Sequence, residues 1–315
     1  SMKDGIYEMQ SAATCIDNTT GNVVAIVGSR TQELEGYTLN RAYQSYRQPG
    51  SSIKPIIDYV PYLQKGNTPD TIVADEYIQN GPKNADGTYM GNITLRTAVS
   101  LSRNTVAWNI LKELTPKVGS SYLLNQGFHK IWMDKDYNAI SIGGFTYGVS
   151  TEEMAGAYAT IANDGKYRRV TCIVAVYDNR GKTVIDTSNR EENIYDSESC
   201  RMMTDMLKTV VSEGTGRGAA PDDAIVAGKT GTTNSNYDSW FCGYSAYYTL
   251  AVWQGYDYPA SIPQNATIKI FRQFMDQAHK GLAKKDFAKY NQKGNQEETQ
   301  TETESETETE TQSAS

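Results

Sequence analysis

The chain has 315 residues, 38% of them hydrophobic and 21% charged, and a formal net charge of −7. That length and apolar content suit one large α/β domain or two average ones, and exclude a disulfide-stapled miniature, a collagen-like fibre and a mostly disordered chain. No apolar run approaches the roughly 18 residues that span a bilayer. The charge is uneven: seven Glu and no Lys or Arg lie from Glu297 onward, so residues 1–296 are balanced and carry no basic footprint for nucleic acid.

The opening Ser1-Met2 carries no signal-peptide pattern, so any export signal or anchor is expected upstream. Residues 11–16 and 23–28 are strand-like apolar runs. The turn residues Asp17-Asn18-Thr19-Thr20-Gly21-Asn22 join them into a β-hairpin. Pro49-Gly50 then breaks the chain ahead of a helical pattern over 51–60. Pro55 falls near its first turn, where a missing N–H costs least, and Pro61 should end or kink it.

Residues 68–92, rich in Gly, Asn, Asp and Pro, read as a long loop. One helix is predicted over 94–113 with Thr94 as N-cap, and a shorter one over 117–127. A third runs from the capping box Ser150/Glu153 to Gly165. Strands follow at about 168–177 and 182–186, then a helix over 198–213. A strand over 224–231 runs into Lys229-Thr230-Gly231-Thr232. Strands at 238–244 and 247–254 and a helix over 265–280 complete the body. Strands at both ends with helices between predict a sheet built from the two ends of the chain around a helical insertion. The low-complexity acidic segment, 286–315, should be a solvated, disordered tail.

Cys15, Cys172, Cys200 and Cys242 show no C-x-x-C spacing, and their pairing stays open between free thiols and disulfides. The two histidines, His129 and His279, read as surface residues on helices. No metal centre and no cofactor are expected.

Three short segments carry chemistry. In Ser51-Ser52-Ile53-Lys54 the first and last residues share a helix face. A serine hydroxyl is a weak nucleophile until a base takes its proton, and a neutral lysine amine can be that base. The N–H groups at the helix start favour a developing oxyanion. Ser102-Arg103-Asn104 and Lys229-Thr230-Gly231-Thr232 add further polar groups. About one S-x-x-K is expected by chance in a chain this long, whereas a K-T-G string arises about once in ten such chains. Taken singly, each could be an ordinary polar helix face or strand.

With their flanks these segments resemble the transpeptidase domain of class A (high-molecular-weight, bifunctional) penicillin-binding proteins. The resemblance rests on Arg47-Gln48-Pro49-Gly50-Ser51-Ser52-Ile53-Lys54-Pro55, Gly143-Gly144-Phe145-Thr146-Tyr147-Gly148-Val149-Ser150 and Lys229-Thr230-Gly231-Thr232-Thr233-Asn234. It continues through Asp238-Ser239-Trp240-Phe241-Cys242-Gly243-Tyr244 and Ala251-Val252-Trp253-Gln254-Gly255-Tyr256-Asp257, and covers about residues 8–285. It implies an α/β penicillin-binding-protein/β-lactamase-like transpeptidase fold over residues 1–285: a five-stranded antiparallel sheet flanked by helices, plus an all-helical subdomain inserted at about 60–165. The implied activity is cross-linking of peptidoglycan stem peptides ending in D-Ala-D-Ala, on the outer face of a bacterial membrane and blocked covalently by β-lactams. The parent protein is expected to be anchored upstream.

The resemblance also implies roles. Ser51 would be acylated, Lys54 would be its base, and Ser102 beside Lys229 would pass a proton to the leaving amine. Asn104 would bind the substrate backbone. Thr230, Gly231 and Thr232 would form the strand that holds the terminal carboxylate, with the Ser51 and Thr232 N–H groups as oxyanion hole. A D,D-carboxypeptidase and a non-catalytic β-lactam sensor or scaffold remain alternatives. A β-lactamase does not fit, because no E-x-x-L-N segment lies between Ser102 and Lys229. A lysine base must fall from about 10.4 to about 7, roughly 4.6 kcal/mol. Burial of Lys54 and the like charge of Lys229 are the expected sources. Trp240 and Tyr244 could line the cleft or the core, and Phe145-Thr146 should support the helical subdomain.

Overall fold

Two apolar stretches from opposite ends of the chain meet in one sheet. The computed structural model describes residues 2–3, 6–30, 38–186, 191–263 and 265–291. Strands β1 (Met9–Asp17) and β2 (Val23–Val27) form the expected hairpin. Strands β3 (Ala227–Thr232), β4 (Asp238–Tyr244) and β5 (Tyr248–Tyr256) come from the far end. The order is β3-β4-β5-β1-β2, antiparallel throughout.

The centre of β4 and β5 is buried on both faces, so these strands read as continuous apolar runs instead of alternating ones. Alternate residues still divide between two layers, because successive side chains point to opposite faces. Ala12, Ile16, Trp240, Cys242, Ala251 and Trp253 join one core, with Met154 and Tyr158 of helix α4 (Thr151–Ala162). Cys15, Phe241, Leu250 and Val252 join the other, with Phe271 and Met275 of helix α6 (Thr267–Ala278). The Ser150/Glu153 capping box is present at the start of α4.

The segment after Pro49 is helical, but irregularly so. Gly50–Ile53 is a 3-10 turn, Pro55–Tyr59 a π-helical turn and Val60–Leu63 an α turn. The helix therefore runs past Pro61 instead of ending there. The wide turn just before it, closed by the Val60 N–H on the Pro55 carbonyl, makes room for a proline ring that would clash in a regular α-helix.

The predicted 94–113 helix is two helices, α1 (Leu95–Ser100) and α2 (Asn104–Leu114). Between them the Ser102 N–H donates to the Val99 carbonyl and the Arg103 N–H to the Ala98 carbonyl, with Ser102 at φ 59°. That is a Schellman ending with serine where glycine is usual. The absence of that glycine hid the break from sequence reading. Helix α3 (Pro116–Asn125) follows.

The supposed 68–92 loop holds a strand, Ile72–Asp75, which pairs antiparallel with Gly91–Thr94. The stretch between the 50–63 helix and α4 therefore holds this ribbon and irregular segments beside its helices. Of the predicted 168–177 and 182–186 strands, only Ala175–Tyr177 and Thr183–Asp186 pair, and Thr171 makes an isolated bridge to Asn22. Helix α5 (Ser197–Ser212) lies close to its predicted bounds.

All four cysteines are free thiols. His279 is not a surface residue: it is buried at the end of α6, with Nδ1 against the Met275 carbonyl and Nε2 against Ser245 Oγ, each at 2.8 Å. His129 is exposed, but in the turn after α3 instead of on a helix. Residues 286–291, grouped with the tail above, lie against α5 and the core: Asp286 pairs with Lys208 and the Phe287 ring meets Tyr244 edge-on. Residues 292–315 lie outside the described residues.

Candidate active site

The site forms where the 50–63 helix, the α1–α2 turn and β3 converge. The approach is tight because two glycines allow it. A Cβ on Gly231 would lie 2.2 Å from the Pro49 carbonyl oxygen, and one on Gly50 would lie 2.6 Å from the Thr232 carbonyl oxygen. Gly50 also takes a left-handed φ of 53°. Ser51 is thereby set beside β3, in a cleft of about 940 Å³ also lined by Ser102, Asn104, Thr230 and Thr232. That volume suits a small-molecule or peptide site.

Lys54 is fully buried beneath Ser51. Its Nζ donates to the Ser102 carbonyl at 2.9 Å, the Asn104 Oδ1 at 2.7 Å and the Arg103 carbonyl at 3.4 Å. Among the described residues the Ser51 hydroxyl has no hydrogen-bond partner. The three acceptors occupy all the protons of a charged amine, and loss of one proton frees a lone pair. Catalytic hydrogen bonds of this kind commonly tighten only with substrate in place.

Burial lowers Lys54 to about 7, Asp58 on the same helix opposes this, and the Arg103 cation adds to it. Arg103 is thus a like charge the sequence did not suggest, and Lys229, the one it did suggest, shares a mutual repulsion with Lys54. Lys229 is itself pushed well down, by burial first and by Lys54 second. Its Nζ donates to Ser102 Oγ at 2.8 Å and to the Thr230 carbonyl at 3.1 Å.

The structure therefore brings Ser51, Lys54, Ser102, Asn104, Lys229, Thr230, Gly231 and Thr232 to one place. Asn104 is engaged at both ends of its amide, since Nδ2 donates to the Lys83 carbonyl at 2.8 Å. Thr230 Oγ1 shares a hydrogen bond with Thr215 Oγ1. Trp240 and Tyr244 are core residues: the indole N–H reaches the Gln48 carbonyl and the Tyr244 hydroxyl meets Thr204. Phe145 lies in the cleft wall, where the Gln48 amide bonds both its N–H and its carbonyl. Thr146 is fixed to Asp134. Sequence reasoning missed Asp75, Asn84 and Asp86, which grip the α1–α2 turn from the 72–94 ribbon. No linear motif could reveal them, because a stretch rich in Gly, Asn and Asp reads as turns.

These groups can make and break an acyl ester: a hydroxyl at the end of a helix, a buried amine as base, and a serine–lysine pair to move a proton. A model of the penicillin binding protein transpeptidase domain matches residues 11–276. The chain belongs to this family. Among its relatives, penicillin-binding protein 4 of Bacillus subtilis is 36% identical over 260 residues, covering 81% of this chain and 41% of that protein. Penicillin-binding protein 1A of Clostridium acetobutylicum is 37% identical, covering 90% and 37%. The chain thus spans about two fifths of the length of these relatives.

Solved structures share the fold. The PonA1 protein of Mycobacterium tuberculosis in complex with penicillin V superimposes with a TM-score of 0.74 at 24% identity, over 92% of this chain and 83% of that one. Penicillin-binding protein 1A of Haemophilus influenzae gives 0.75 at 23%, over 90% and 49%.

Proposed function

We propose that this chain is the serine D,D-transpeptidase module of a peptidoglycan synthase. The observation that carries the reading is the convergence of Ser51, buried Lys54 and the Lys229–Ser102 pair in one cleft, in a member of the penicillin-binding transpeptidase family. Ser51 Oγ attacks the carbonyl between two terminal D-alanines as Lys54 takes its proton. Ser102, held by Lys229, relays that proton from Lys54 to the departing D-alanine amine. A peptidyl ester remains on Ser51 until an amine of a neighbouring stem peptide attacks it, forming the cross-link and restoring the serine.

Lys229, Thr230 and Thr232 hold the substrate's terminal carboxylate, Gly231 lets the strand approach, and the Ser51 and Thr232 N–H groups stabilise the oxyanion. Asn104 sits between Lys54 and the substrate backbone. A β-lactam enters by the same attack, and its ring-opened ester stays on Ser51. The catalytic body is residues 1–285 with the insertion at 60–165, acting outside the cytoplasmic membrane on a parent protein anchored upstream. No described helix is long and apolar enough to cross a membrane.

Intact mass after incubation with penicillin, followed by peptide mapping, tests this reading. One adduct on the peptide holding Ser51 is expected, and its absence would overturn the reading. Transfer to an amine acceptor, scored against hydrolysis, separates a transpeptidase from a carboxypeptidase.

A further inference from the structure

Arg103, the middle residue of Ser102-Arg103-Asn104, takes no part in the chemistry above, yet its side chain is buried and bonded through each of its three nitrogens. Nε donates to Asp75 at 2.7 Å, one terminal nitrogen to Asp86 at 2.8 Å and the other to the Thr88 carbonyl. Asp75 has no exposed surface, and both its oxygens are filled. One accepts from Asn84 Nδ2 and Thr105 Oγ1, the other from Arg103 and the Met90 N–H. Burial pushes the Asp75 carboxyl up, but these hydrogen bonds outweigh it and leave it below its ordinary value. Asn84 Oδ1 also accepts the Asn104 N–H at 2.7 Å. The 72–94 ribbon thus grips the turn through the side chain of Arg103 and the backbone of Asn104.

A buried cation is expensive, and an apolar residue could fill the same space at lower cost. Its place gives the reason for keeping it. The carbonyls of Ser102 and Arg103 both receive the Lys54 amine. The charged groups around that amine are few. Asp58 lies one turn further along the same helix and favours its proton. Arg103 on the α1–α2 turn disfavours it, and Lys229 on β3 meets it across Ser102. Asp75 and Asp86 bond the guanidinium.

We propose that Arg103, locked by Asp75, is a positioning residue that holds the catalytic turn against Lys54 and whose cation opposes a second cation on the Lys54 amine. The inference rests on reading Lys54 as the base. A base acts only unprotonated, so acylation rises with pH through the titration of Lys54. Removing a like charge nearby raises its proton affinity, which moves that rise to higher pH.

The test is the second-order rate of acylation by a fluorescent penicillin from about pH 5 to 9. The proteins compared are wild type, Arg103→Lys, Arg103→Met and the double variant Asp75→Asn/Arg103→Met. Arg103→Met should shift the acid limb upward by about half a unit, so its rate relative to its own plateau falls about threefold further near pH 6. The double variant, which leaves no unpaired buried acid, removes an anion with the cation, so its limb should move the same way but by less, and it decides the matter if the single one does not fold. Arg103→Lys keeps the charge but not the fork, and should lose plateau rate while its limb stays in place. A limb unmoved in the Met variants, or moved as far in Arg103→Lys, would overturn this inference alone. Wild-type protein that is not acylated at Ser51 would instead overturn the proposed function.

Discussion

At the scale of single residues, two side chains divide the chemistry between charge and strain. Lys54 is brought to about 7 chiefly by burial. Its ordinary value lies well above neutrality, so folding supplies the neutral base. Acylation by penicillin should therefore rise as pH increases through about 7 and level off above it, read as an initial-rate profile. Lys54→Arg keeps a cation that does not deprotonate, and should cut acylation at least about a hundredfold while leaving the circular-dichroism spectrum intact.

Ser102 pays for its hydroxyl with backbone strain, since φ 59° is unfavourable for a residue bearing a Cβ. Ser102→Gly should raise stability by up to about 1 kcal/mol in urea denaturation. The same variant loses the oxygen that Lys229 holds, and should acylate more slowly. A variant that gained rate, or lost stability, would contradict the account of this turn.

At the scale of elements, the site depends on how closely β3 passes the start of the 50–63 helix. Gly231→Ala puts a methyl group 2.2 Å from the Pro49 carbonyl oxygen, and neither backbone can give way cheaply. The strand must then part from the helix and carry Thr230 and Thr232 off Ser51. Acylation should drop by at least about tenfold, and peptides spanning 227–232 should lose protection in hydrogen exchange. Secondary structure here was legible where a local signal exists. The Ser150/Glu153 box and the continuous apolar runs of β4 and β5 announce themselves. The 72–75 strand, the α1–α2 break and the π-helical turn do not. Each is set by partners distant in sequence, such as Arg103 for Asp75, or lacks its usual marker glycine.

At the scale of the whole molecule, two cores lie on opposite faces of one sheet; Ile53 and Val99, beside the Ser51 and Ser102 segments, belong to one, while the other, remote from those motifs, touches the cleft rim through Ile268. Phe271 of α6 belongs to the remote core and packs on Phe241 with ring centroids 4.6 Å apart. Phe271→Ala should cost about 3–5 kcal/mol in urea denaturation. Its acylation rate at low temperature, where the variant stays folded, should remain within about twofold of wild type. A much larger loss of rate would mean that the remote face controls the cleft.

What the amino-acid order determined alone was the chemical inventory. A serine and a lysine one turn apart, a Ser-x-Asn triplet and a Lys-Thr-Gly-Thr strand follow from local spacing and from the resemblance their flanks carry. Tertiary structure decided the electrical state of those groups and what surrounds them. Proton affinity is set by exclusion of water and by charges brought from elsewhere in the chain. Lys54 became a base when helix, turn and strand closed over it, and Arg103 joined Lys229 in opposing its charge. Trp240 and Tyr244 were assigned to the core in the same way, because only packing tells a cleft wall from an interior.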